Sequence, residues 1–381
     1  MRQKIRMACV SDVHLGHPKN PTERIIANLN RHISNDSFLK TIDLLIIAGD
    51  LFDRLLAFAS DEARAADMWI SNLLRRCARN NVRLRVLRGT PSHDRNQSSR
   101  FVDNNDKLVK AKVKNADLRY VDVLEIEHFD DWDIDVLYLP DEWGATPEDA
   151  LDQAQKLIES HGLERVDFAV MHGMFDYQLD VDIPSIPRHS SAAWLDLVKY
   201  LIFIGHVHVF STFERIIAQG SFDRLAHNEE GPKGFVVAEV DPNGDYTSRF
   251  IENVGAMKFV TIDVDNPDLP ECLLHIEARI ANLPDFSYVR VRSAKEHPIQ
   301  SNLALLKSKW VMLNWTLHVN VVKTEKISEV LAAPTPTYTP IKVDRHTLLP
   351  VMTERLARKN YPRPHIDECV DILSELRSVI T

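Results

Sequence analysis

Cysteine and glycine are scarce in this 381-residue chain, and neither basic charge nor long apolar runs are in excess. The four cysteines (Cys9, Cys77, Cys272, Cys369) lie far apart with no CxxC pair. That spacing excludes a zinc knuckle and gives no disulfide framework. No stretch approaches the roughly 18 apolar residues of a membrane span, and the N-terminal MRQKIRMACVSD turns polar at Ser11-Asp12, too early for a signal peptide. A cytoplasmic protein without membrane association is the expectation. The formal charge of −9 argues against a surface coated with basic charge for nucleic acid, though not against a local basic groove. At 8% aromatics no stacking platform stands out, so sequence-specific base reading is not supported.

What is present is an ordinary globular composition, 44% apolar and 27% charged, long enough for two domains. Apolar runs at 4–10, 43–48, 82–87, 134–139, 166–171, 200–204 and 234–240 read as strands, and 22–33, 61–79 and 147–161 as helices. The last helix opens with Thr146 as N-cap, Pro147 in first position and two acids in the first turn. Such alternation predicts an α/β domain over 1–255. From 256 to 333 the texture shifts to KFVTIDV, FSYVRVRS and LNWTLHVNVV around a short helical stretch near 300–309, a small α+β domain. A Pro/Thr-rich linker over 334–344 follows, and 345–381 reads as a helical tail split at NYPRP.

The acids and histidines fall in a pattern. Strand 4–10 runs into SDVHLGH, 43–48 into GDLFD, 82–87 into RGTPSHD, 166–171 into HG, and 200–204 into GHVH. Each of these strands delivers Asp or His at its carboxyl end, the edge where open α/β sheets bind ligands. Taken singly, a strand-end His is a structural residue and an Asp a turn cap; together they make a site. Carboxylate and imidazole donors suit Mn, Fe or Zn. Asp12 with His14, and His206 with His208, stand at i and i+2, which in extended backbone share a direction. These ligands are too many for one open catalytic ion and suit a pair, which can clamp the attacking and leaving oxygens of a phosphoryl displacement.

The series DVH, GDLFD, SHD, HG, GHVH resembles the calcineurin-like metallophosphoesterase superfamily over about the first 210 residues. The resemblance implies an α/β metallophosphoesterase sandwich of two central β-sheets flanked by helices, plus a small α+β capping domain and the C-terminal helical tail. It implies two divalent metal ions, Mn foremost, with Fe, Zn or Mg as alternatives. Asp12, His14, Asp50 and His208 would hold one; Asp50 would bridge to a second held by His172 and His206. His93 would stand beside the scissile phosphate, oriented by Asp94. The family places Asn before this His, as a ligand to the second ion, and here Ser92 stands instead, with Thr90 and Pro91 inserted after Gly89. Ser92, Thr90 or a water then completes that ion.

Within the superfamily, the segment IIAQGSFDRLAHNEEGPKGFVVAEVD resembles the stretch after the histidine motif in SbcD-type DNA-repair exonuclease subunits. That branch implies a nuclease acting on DNA with an SbcC-like ABC-type ATPase, its coiled-coil base bound by the tail, and pairing of two chains through the catalytic domain. Asp53 matches the bacterial and phage form, placed near the DNA phosphate. Lys107, Lys110 and Lys112, with Arg290 and Arg292 of the capping domain, are candidate phosphate contacts. His17 fits no motif and reads as surface. A small-molecule or phosphoprotein phosphoesterase using the same site is the alternative, and a scaffold with one ion lost is a third class.

Overall fold

A computed structural model describes residues 3–179, 186–227 and 229–320, which belong to one compact unit, 1–320. The expected linker and tail, Cys369 and the end of the expected capping domain lie outside the described residues. In chain order the strands are β1 (Ile5–Val10), β2 (Leu44–Ala48), β3 (Arg83–Leu87), β4 (Leu118–Val121), β5 (Glu125–Phe129), β6 (Ile134–Leu139), β7 (Val166–Gly173) and β8 (Val198–His206). They continue with β9 (Ser211–Phe213), β10 (Ile216–Ala218), β11 (Gly234–Val240), β12 (Tyr246–Glu252), β13 (Phe259–Asp263), β14 (Tyr288–Ser293) and β15 (Asn314–Val319).

Two six-stranded mixed sheets form, ordered β12-β11-β1-β2-β3-β4 and β5-β6-β7-β8-β10-β9. β1 to β4 run parallel, as do β6, β7, β8 and β10; β11, β12, β5 and β9 pair antiparallel to their neighbours. Side chains alternate faces along each strand. Met7, Cys9, Leu44, Ile46 and Ala48 of the first sheet meet Val136, Phe168, Val170, Leu201 and Phe203 of the second in one core. Ala8, Val10, Leu45 and Ile47 face the helices Thr22–His32 and Asp61–Asn80 in another. Ala169, Ile202 and Ile204 face the helices Pro147–Ser160 and Ser191–Leu197 in a third. Burial on both faces is why the strands read as unbroken apolar runs. Each such side chain contributes about 1.5–3 kcal/mol, and the shared core between the sheets keeps their carboxyl edges together.

The third sheet, β13-β14-β15, is parallel and has its own core with the helix Leu269–Ile280, including Ile262, Cys272, Ile276, Val289, Val291 and Trp315. That helix was not anticipated, although Asp268 caps it by accepting from Glu271 N at 2.9 Å and Cys272, Ile276 and Ile280 line its buried face. The helix Arg100–Lys110 was not anticipated either; its Asn-Asn-Asp centre has low helical propensity, and burial of Phe101 and Asn104 holds it. The three cysteines in the described residues are buried and free. No helix among the described residues is long and apolar enough to cross a membrane.

Candidate metal centre

The carboxyl ends of β1, β2, β7 and β8 meet where the two sheets come closest. The loops after β1 and β2 zip together, with Val13 and His14 N–H donating to Asp50 O (2.9 and 3.1 Å) and Leu15 N–H to Leu51 O (2.8 Å). Across the sandwich, His206 N–H donates to the Asp12 carboxylate at 3.0 Å. Two glycines permit this approach. A Cβ on Gly49, which has φ +87°, would lie 2.1 Å from His172 Nδ1, and one on Gly205 would lie 2.4 Å from Ala48 O.

Asp12, His14, Asp50 and His206 all adopt left-handed backbone, with φ of 51°, 55°, 47° and 101°. Such conformations cost about 1–3 kcal/mol each in residues other than glycine and cluster at functional sites. Asp12 and His14 therefore do not share a direction through extended backbone, as their spacing suggested. Their side chains converge because alternate residues of the loop are turned.

Asp12, His14 and His208 form one donor group. His14 Nε2 and His208 Nε2 lie 3.1 Å apart, and His208 Nε2 is 3.8 Å from Asp12 Oδ1. The far nitrogen of each ring faces a carboxylate, His208 Nδ1 in a hydrogen bond of 2.9 Å to Glu229 Oε1, and His14 Nδ1 at 3.2 Å from Asp53 Oδ1 but outside hydrogen-bond geometry. Protons on the Nδ1 atoms leave both Nε2 lone pairs facing one point beside a carboxylate, the donor set of a cation. Glu229 is 3.0 Å from Lys233 Nζ, which also donates to Ser221 Oγ (2.8 Å) and His208 O (2.6 Å). Burial opposes its charge, but His208 and Lys233 hold the Glu229 carboxyl down at about 2. Glu229→Gln is expected to weaken Mn2+ binding by about 10–100-fold, the usual result of losing an outer partner of a ligand. Calorimetric titration of the folded variant checks this.

His14 also groups with Asp53 and His93, and Asp50, His172 and His206 form a further group. His172 is fully buried; Nδ1 donates to Ala48 O at 2.7 Å, and Nε2 lies 3.3 Å from Asp50 Oδ2 without a hydrogen-bond partner. A neutral ring in that tautomer would point a lone pair at a carboxylate, so the pair calls for a proton or a cation between them. Without a metal the proton serves. Burial disfavours charge on His172, but Asp50 outweighs it and raises the ring's pKa to about 10, while His172 and His14 overcome the burial of Asp50 and depress its carboxyl.

Because the folded pKa of His172 exceeds the unfolded value near 6.5, its stabilisation is complete below about pH 6.5 and lost towards pH 10. Melting temperatures in chelator are expected to fall across that window, and saturating Mn2+ to reduce the fall. A flat profile in chelator would contradict the pairing.

His93 lies at the mouth, half-buried on the short helix Pro91–Asp94, its ring 5.4 Å from that of His14 and edge-on to it. Its orientation differs from the expectation. Nδ1 meets the backbone carbonyl of Asp53 at 3.2 Å, whereas Asp94 is turned into the protein, accepting from Ser98 Oγ at 2.7 Å. Burial raises the Asp94 carboxyl to about 6, with nearby Asp50 adding to the rise. Asp94 is thus a buried strut under the turn. Ser92 is also corrected. It is exposed, its carbonyl accepting from Arg95 Nε, because the helix points residue 92 outward. Thr90 takes the inner position, its N–H donating to Asp50 Oδ1 at 2.6 Å. His17 is half-buried, with burial lowering its pKa near Asp53 and His14, and is no plain surface residue.

Among the candidate phosphate contacts, Lys107, Lys110 and Lys112 are exposed at the end of the helix Arg100–Lys110 and just beyond. Arg292 is paired to Asp263 by two bonds of 2.7 Å, so its charge is balanced within its own sheet. Arg290 is half-buried and acts on His227, whose pKa falls to about 4 through burial first and then through Arg290, Lys19 and His318.

The sequence reading missed Asp141, Glu229 and Lys233 as site residues. A cavity of about 280 Å³ beside His206 is lined by Thr90, Asp141, Trp143, Met174 and Pro187 among others. No protein-family model matches the chain, and no curated protein matches it.

Proposed function

We propose that the chain is a metal-dependent phosphodiesterase of the calcineurin-like kind, cutting DNA as the nuclease subunit of an SbcC-like ATPase complex. The observation that carries the phosphoesterase reading is the facing pair of donor groups, Asp12/His14/His208 and Asp50/His172/His206, at the joint edge of two sheets. Their imidazole nitrogens and carboxylates fit divalent ions such as Mn2+, which would take the place of the His172 proton. When bound, a pair of such ions supplies Lewis acidity and positive charge to a phosphodiester.

The chain's own residues do the rest. Glu229 fixes the His208 ring and Asp53 faces that of His14, while the Asp53 carbonyl accepts from His93 Nδ1–H, so that His93 in its doubly protonated form gives the Nε2 proton to the departing oxygen. DNA is favoured as substrate by the segment resembling SbcD-type subunits, whose Ser221, Glu229 and Lys233 back His208.

A small phosphoester is the rival substrate, favoured by the cavity of about 280 Å³ next to His206. The full chain with Mn2+ is to be assayed on linear DNA, a model diester and a model monoester. DNA and diester cleavage are expected. Monoester turnover without DNA cleavage would overturn the nuclease reading and favour the rival, and no turnover of any would overturn both.

A further inference from the structure

The second donor group is one ligand short if Ser92 is its remaining member, since Ser92 faces solvent. A residue that no motif marks stands beside this group. Asp141 follows β6, is 8% exposed, and lines the cavity beside His206 together with Thr90. Its Oδ1 accepts from Glu142 N–H at 3.0 Å. Its Oδ2 lies 2.7 Å from Thr90 Oγ1 and 3.6 Å from His206 Nδ1. Thr90 Oγ1 is also 3.2 Å from Asp50 Oδ2 and 3.4 Å from His206 Nδ1.

One hydroxyl brings one proton. Donated to Asp141 at the shorter distance, it leaves Asp50 Oδ2 facing an oxygen lone pair. On its other side the same Asp50 oxygen faces His172 Nε2, a fully buried atom with no hydrogen-bond partner. Acceptors buried against acceptors are costly unless something positive sits among them. Asp141 therefore borders the group of Asp50, His172 and His206 on its cavity side, through Thr90 and at 3.6 Å from His206 Nδ1.

We propose that Asp141 supplies a carboxylate to the ion held by Asp50, His172 and His206, with the Thr90 hydroxyl tying the Asp141 and Asp50 carboxylates together. This rests on the two-ion reading above. A carboxylate where the family pattern has a neutral amide adds one negative charge and a hard oxygen donor. The site then favours Mn2+ or Mg2+ over softer ions and balances more of the ions' charge.

The test is Mn2+ binding by the full chain, followed by calorimetry and by electron paramagnetic resonance, with no reliance on turnover. The unaltered chain is expected to bind two ions and to show the spin-coupled signal of a close pair. Asp141→Ala is expected to keep one ion, to bind the second about 10–100-fold more weakly, and to lose the coupled signal at the same Mn2+ concentration. Ser92→Ala is expected to bind as the unaltered chain does.

Two ions at unchanged affinity in Asp141→Ala would overturn the assignment and leave the two-ion reading standing. A Ser92→Ala variant that loses the second ion would return the role to Ser92. Fewer than two ions in the unaltered chain would overturn the two-ion reading itself, and the assignment with it. Should metal-free melts show that Asp141→Ala does not fold, Asp141→Asn takes its place. A weaker second site is expected there, and unchanged affinity overturns the assigned charge.

Discussion

Asp50→Asn is expected to lower phosphodiester turnover by at least about 10³-fold, since several kcal/mol of transition-state stabilisation ride on the ions and each 1.36 kcal/mol is a factor of ten. The side chain is almost fully buried and keeps its shape in the variant, so packing is spared. What changes is charge. Both His172 and His14 act on the Asp50 carboxylate, and neutralising it removes an anion that faces a histidine of each donor group. The amide also has to place an NH2 or an oxygen toward His172 Nε2, and the Thr90 N–H at 2.6 Å claims the one oxygen. The NH2 is left in the ligand position, where it cannot coordinate. Metal analysis of the purified variant is expected to show fewer than two ions per chain. Full turnover with full metal content would remove Asp50 from the centre of the site.

His93→Ala is expected to divide the two roles that Asp50 combines. Turnover falls by about 10²–10⁴-fold, the usual worth of a positioned proton donor, while metal content stays at that of the unaltered chain. The reason is geometric. The Nδ1 of His93 is engaged by the Asp53 carbonyl and the ring stands edge-on to His14, so its remaining nitrogen addresses the mouth of the site. Substrates with good leaving groups need little help from a proton donor, so a nitrophenyl diester is expected to suffer less than DNA. Equal losses on both substrates, or loss of metal, would make His93 a structural or ligand residue.

Much of this centre was legible because its parts are local. An apolar run followed at once by Asp or His is a one-dimensional signal, and β1, β2, β7 and β8 each carry it. The residues that stayed hidden act through space. Asp141 sits in the turn after β6 outside every motif, and only the packing of β6 beside β7 brings it to Thr90 and His206. Glu229 and Lys233 could be seen as a motif, but not as the hydrogen-bonded backing of His208. Asp94 was placed in the wrong role for a related reason. The family resemblance implies a partner of His93 there, whereas successive residues of a helical turn point about 100° apart, and Asp94 is buried while His93 is half-exposed.

Two donor groups draw on both sheets, Asp12 and His14 with His208 in one, Asp50 with His172 and His206 in the other. An ion held by either of these groups would be a rivet through the sandwich. Sliding one sheet against the other by a fraction of an ångström would deform both groups at once, so ion binding and mechanical shear would be bound to one coordinate. A partner that tugs on either face of the molecule could, through that coordinate alone, tune the site without touching it.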